Sequence, residues 1–236
     1  GKSVAVALHV KGLRGGHSGL EIDKGRGNSI KILNRTLIAL EKLEARISTI
    51  EGGNKSNAIP REAEALLTIP AKNVKKAKTI VDRCNSTIKA ELATVEPDLS
   101  ITLEEVQLKK KGKVIKKAQQ KMLTQTIAGL PHGVAKMSAD IPGLVETSTN
   151  VAIIRTEKSN IVLTTSQRSS VASEIDEILE TVKAVFELGG AKALQTEGYP
   201  GWKPNLDSQI LKTAKSTYSS LYGKEPLVKA IHAGLE

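Results

Sequence analysis

The sequence predicts an α+β fold: an antiparallel sheet covered by helices on one face. Three observations carry this. Residues 4–10 and 63–69 alternate apolar with smaller or polar residues, as strands do. Residues 28–44 and 73–92 repeat apolar residues along one helical stripe. With extended segments near 46–51 and 99–106, the order becomes strand, helix, strand, strand, helix, strand, the ferredoxin-like split βαβ module. Helices with a single apolar stripe can cover only one face of such a sheet.

Each element has a local reason. Val4, Val6, Leu8 and Val10 form one side of the first strand, and Ala5, Ala7 and His9 the other. The run Gly12-Leu13-Arg14-Gly15-Gly16-His17-Ser18-Gly19 is a glycine-rich turn. Asn28 is the expected cap of a helix carrying Ile30, Leu33, Leu37 and Leu40. Ile59 precedes Pro60 and is held extended. Asn73 is expected to cap the second helix, whose stripe is Val74, Ala77, Val81, Cys84, Ile88 and Leu92. After a lysine run, 115–127 reads as a helix and 130–133 as a turn. Residues 145–156 and 160–167 read as a hairpin around Glu157-Lys158-Ser159. Ser170 or Ser173 should cap a helix carrying Ile175, Ile178, Val182 and Val185, stopped by Gly189-Gly190. A strand at 192–197 would complete this second stretch, whose layout suggests a duplication of the first module. From Gly198 the texture changes to a Pro/Gly/aromatic loop, Tyr199 to Asn205. A helix capped by Asp207 or Ser208 and closed by Gly223 follows, then an expected strand at 227–232. The expected domains are therefore 1–197 and 198–236.

Composition narrows the function classes. The single cysteine, Cys84, excludes an internal disulfide and a cysteine-rich zinc module. No run is long and apolar enough for a membrane-spanning helix. The net charge of +10 raises nucleic acid as a partner, but six lysines between 109 and 117 account for all but +4 of it. No aromatic interleaves with them to stack on bases, so that run reads as a solvated loop and nucleic acid is not the favoured partner. Of the four histidines, His9 lies within a strand and His132 in a turn expected to be exposed. His17 sits in the glycine loop, an accessible position after a strand. His232 ends an apolar run, where a histidine can serve as a metal ligand. No His-Glu-x-x-His or paired-cysteine motif accompanies it.

Several exact strings go further. They are the glycine loop at 12–19, Gly25-Arg26-Gly27-Asn28, and Gly52-Gly53-Asn54-Lys55-Ser56-Asn57-Ala58-Ile59-Pro60-Arg61. Pro142 to Asn150, Arg168-Ser169-Ser170, Gly198 to Asn205 and Ile231-His232-Ala233-Gly234-Leu235-Glu236 follow in order. Together they resemble the aminoacylhistidine dipeptidases, or cytosolic non-specific dipeptidases, of the zinc-peptidase family that includes carnosinase. The resemblance implies a lid domain over 1–197 and part of a two-zinc catalytic domain over 198–236. It implies that His17 steadies the oxyanion of the tetrahedral intermediate. It implies that Asn57 lies near the substrate and that Arg168 grips the dipeptide carboxylate. It makes His232 a zinc ligand. The family's other zinc ligands and its general-base glutamate match nothing in this sequence. The isolated chain is therefore expected to be an inactive part of a cytoplasmic dipeptidase. The alternative is a non-catalytic module that forms a homodimer through a sheet edge.

Overall fold

The computed structural model describes residues 2–107, 113–158 and 160–234. The first half comprises β1 (Ser3–Lys11), β2 (Gly16–His17), α1 (Ser29–Leu40), β3 (Arg46–Gly52), β4 (Ala58–Ile59), β5 (Ala63–Pro70), α2 (Val74–Glu91) and β6 (Ser100–Glu105). The second comprises α3 (Lys117–Gly129), β7 (Gly133–Met137), β8 (Val145–Glu157), β9 (Asn160–Ser169), α4 (Ala172–Leu188) and α5 (Gln209–Tyr222).

The first half is the expected module. Its strands run antiparallel in the order β6-β1-β5-β3. Val6, Leu8 and Val10 are fully buried beneath Ile30, Leu33, Leu37 and Leu40 of α1 and Ala77, Val81 and Ile88 of α2. Ala5, Ala7 and His9 lie half-buried on the opposite face. Asn28 caps α1 as expected, its side chain accepting from the N–H groups of Ile30 and Lys31.

The second half does not repeat this module. It extends the same sheet, which corrects the expected duplication. β8 joins β3 through Gly52 and Ile154, pairs with β7 along the same edge, and pairs with β9 along its other edge. β7 has no counterpart in the sequence reading. Its side chains are largely exposed and its register is irregular, so it leaves no alternating signature. α3 packs on α1, and α4 on β9, so the helical layer continues over the extension.

Other expectations are corrected locally. Residues 192–197 and 227–232 form no strand. Leu194 is 80% exposed and Leu227 79%, and neither segment has a neighbouring strand to bond. The described part of 198–236 therefore holds one helix, α5, and irregular chain. Asn73 does not cap α2; its side-chain amide donates to the Leu43 carbonyl instead. Neither Ser170 nor Ser173 caps α4, whose first residue follows Val171; Ser169 Oγ accepts the Val171 N–H. Gly190 does end that helix, with its N–H on Glu187 and that of Ala191 on Phe186, a Schellman closure. Ser208 caps α5. The hairpin turn at Ser159, lysines 109–111, and Gly1, Leu235 and Glu236 lie outside the described residues.

His132 is not the exposed turn residue the sequence suggested. Its Nδ1 faces Asn28 Nδ2 at 3.3 Å and the Val151 N–H at 3.4 Å. Burial and the charge of Lys31 push its pKa from 6.5 down to about 4. Lys31 is fixed there because its ammonium donates to the carbonyls of Ile127, Ala128 and Leu130 at the end of α3. Between pH 6.5 and about 4 the unfolded chain binds a proton that folded His132 refuses. Stability is therefore intact above pH 6.5 and should fall through that window, by at most about 3 kcal/mol from this residue. Urea midpoints at pH 7 and 4.5 check it, and His132→Asn should remove this residue's share of the difference.

Candidate functional site

Loops at one end of the sheet bring the sequence-predicted residues together. His17 lies in β2, paired with β4 so that it opposes Ala58. Its ring Nδ1 accepts the N–H groups of Gly19 and Leu20, both at 3.1 Å. That fixes Nδ1 as the acceptor and leaves the proton on Nε2. Its backbone N–H donates to the Glu21 carboxylate at 2.9 Å, and Glu21 pairs with Arg26 at 2.6 Å. Burial and nearby Arg168 lower the His17 pKa, with Glu21 opposing them. At neutral pH the ring is thus an uncharged Nε2–H donor.

Asn57 is exposed in the turn before β4. Its carbonyl accepts the N–H of Ser18, the residue after His17, at 2.9 Å. The carbonyls on either side are also held: Ser56 accepts from Ser166 Oγ and Ala58 from Asn150 Nδ2, both at 2.8 Å. The Asn57 turn is thereby tied to β8, β9 and the His17 loop at once.

Arg168 lies on β9 opposite Ser148 of β8. Its Nε is buried without a hydrogen-bond partner, and among the described residues no carboxylate lies within ion-pair distance. Ser148 Oγ meets His232 Nε2 at 2.7 Å, which holds the C-terminal segment against β8. Gly19 permits this approach, because a Cβ there would stand 2.1 Å from the His232 carbonyl oxygen. Burial first, then Arg168 and His17, push the His232 pKa down to about 4. His17, Arg168 and His232 are therefore close enough to feel one another's charge. Of the three, Arg168 carries the positive charge at neutral pH, and a planar guanidinium is the group that matches a carboxylate in two parallel bonds.

A pair of zinc ions does not fit the described residues. His232 supplies one nitrogen, already bonded to Ser148, and no group of three or more His, Cys, Asp or Glu side chains could hold a metal among the described residues. Sequence reasoning also missed Ser148 and Asn150. Their signal was present: Glu146 to Asn150 is a polar run inside a strand, and all five side chains are buried.

Comparison with known proteins agrees with this fold. Residues 8–96 match the family described as the peptidase dimerisation domain. Over 230 residues, 97% of its length, the chain is 36% identical to the cytosol non-specific dipeptidase of Escherichia coli (strain K12), covering 47% of it. The crystal structure of aminoacylhistidine dipeptidase from Vibrio alginolyticus superposes with a TM-score of 0.92 at 36% identity, over 99% of this chain and 47% of that one. The chain spans about half the length of these relatives. With its ferredoxin-like module and extended sheet matched throughout, the chain is similar to about half of each of these dipeptidases.

Proposed function

We propose that this chain carries the substrate-facing surface of a dipeptidase. The observation that supports the reading most is the proximity of an unpaired Arg168 to a neutral His17 donor whose neighbour Ser18 is bonded to the Asn57 turn. Arg168 grips the C-terminal carboxylate of a dipeptide by two parallel N–H bonds. His17 Nε2–H donates to the oxygen that gains negative charge at the scissile carbonyl, and the Asn57 amide adds a second donor. One such donor contributes roughly 10²–10³ in rate. Residues 1–197 act as the lid, and 198–236 belong to the catalytic domain. α5 supports that division: it buries none of its residues, and Ile210, Leu221 and Tyr222 stand open for a covering surface. Zinc would need donors in addition to His232, and no group of three or more such side chains is assembled among the described residues. The name of the Escherichia coli relative supports a cytoplasmic setting and dipeptide substrates.

The test is incubation of the chain with zinc and Gly-His, following both binding and cleavage. Binding without hydrolysis is expected. Measurable hydrolysis would show that the chain completes its own metal site, and absence of binding would remove the proposed carboxylate site.

A second reading is a dimerisation module, favoured by the family match over residues 8–96. Among the described residues β6 pairs only with β1, which leaves one edge open to a second copy. Sedimentation that stays monomeric at all concentrations would exclude it.

A further inference from the structure

Glu96 is fully buried, and among the described residues no cationic side chain pairs with it. An isolated buried carboxylate is costly unless hydrogen bonds compensate it. Here both oxygens are used. Oε2 accepts the Arg14 N–H at 2.8 Å and Oε1 the Gly27 N–H at 3.0 Å. These two residues flank the loop that carries His17, Glu21 and Arg26. Glu96 itself is set by the turn after α2, its N–H on Leu92 and its carbonyl accepting from Leu99. One side chain from the core thus closes the base of the loop from both ends, through charge-assisted bonds.

We infer that Glu96 is a positioning residue for His17. It fixes where the glycine loop leaves β1 and where it enters α1, and so where the imidazole stands. Other anchors act within the loop: β2 pairs with β4, the Ser18 N–H donates to the Asn57 carbonyl, and Arg26 donates to the Gly15 carbonyl. Ile22 packs with Ile59 and Val145, and the Glu21–Arg26 pair braces its middle. Among these anchors, Glu96 is the one that joins Arg14 to Gly27. The idea deepens the proposed role of His17, but it concerns the placement of the ring and not its chemistry.

The test is native-state amide exchange together with ¹⁵N spectra of the histidine rings, on the chain and on Glu96→Gln. Glutamine keeps the volume but turns an N–H donor toward one of the two N–H groups. The Gly19 and Leu20 amides, which bond His17 Nδ1, should exchange about tenfold faster, as loss of one bond to a charged acceptor implies. The His17 ring should drift from the Nε2–H form to a mixture of tautomers, while β1 and β5 stay protected. Unchanged Gly19 and Leu20 exchange and an unchanged ring spectrum, with Arg14 and Gly27 loosened, would overturn the inference. Should Glu96→Gln fail to fold, the unaltered chain decides. The Arg14, Gly27, Gly19 and Leu20 amides should open together with one urea dependence, and separate openings would refute the coupling. Because this reads placement alone, it can fail while His17 still serves as an oxyanion donor, and succeed where dipeptide binding fails.

Discussion

Gly53→Ala should be severely destabilising, with an expected cost of at least about 3 kcal/mol. Gly53 has φ +65°, and its N–H donates to the Glu62 carbonyl at 3.2 Å. A Cβ there would lie 1.9 Å from the Ala152 carbonyl oxygen, on the backbone of β8, and 3.1 Å from Pro60 Cβ. Left-handed backbone alone costs an alanine roughly 1–2 kcal/mol. The overlap adds to this, because neither β8 nor the turn can retreat cheaply when both pack on the core. Gly25→Ala is the control. Its φ is +66°, but a Cβ there meets nothing within 4 Å, so only the backbone term applies. Urea unfolding of the two variants separates clash from strain. Equal losses would mean that the turn does not press on β8 as described. The Asn57 turn follows directly, so Gly53→Ala should also weaken dipeptide binding in whatever population stays folded.

Arg168→Ala should abolish carboxylate recognition. Loss of a bidentate, partly buried ion pair with ligand removes roughly 3 kcal/mol, or about 100-fold in affinity for a dipeptide. Arg168→Lys keeps the charge but loses the planar fork, and about a tenfold loss is expected. Stability should hardly change, because Arg168 forms no ion pair among the described residues and its Nε has no partner to lose. Calorimetric titration with Gly-His and with its C-terminal amide checks this. The amide should bind the unaltered chain and Arg168→Ala equally weakly. Equal binding of acid and amide to the unaltered chain would contradict the assignment.

Much of this was legible in the sequence because two periods dominate it. The alternation of Val6, Leu8 and Val10 and the helical stripe from Ile30 to Leu40 appear in the structure as the two faces of one core. Asn28 and Gly190 act as caps because capping is local chemistry that needs no distant partner. The misses share the opposite cause. β7 exists only because β8 offers an edge, and 192–197 and 227–232 remain irregular because no edge reaches them. Asn73 looked like a cap until the distant Leu43 carbonyl claimed its amide. His17, Asn57, Arg168 and His232 were singled out through the strings around them. Their convergence depends on register: Ser148 opposite Arg168 and His17 opposite Ala58 are pairings between segments far apart in the chain. Glu96 carried no sequence signal, since one glutamate after a helix ordinarily reads as a solvated turn residue.

The most direct test of the proposed carboxylate site is chemical-shift mapping of Gly-His, and separately of Gly-His amide, on the isotopically labelled chain. Gly-His should move resonances of His17 to Leu20, Ser56 to Ala58, Ser148, Arg168 and His232 together, with one affinity, and the amide should leave most of them in place. Shifts scattered over the lysine-rich surface of α2, or the same pattern with the amide, would show that these four residues do not face one carboxylate-binding site.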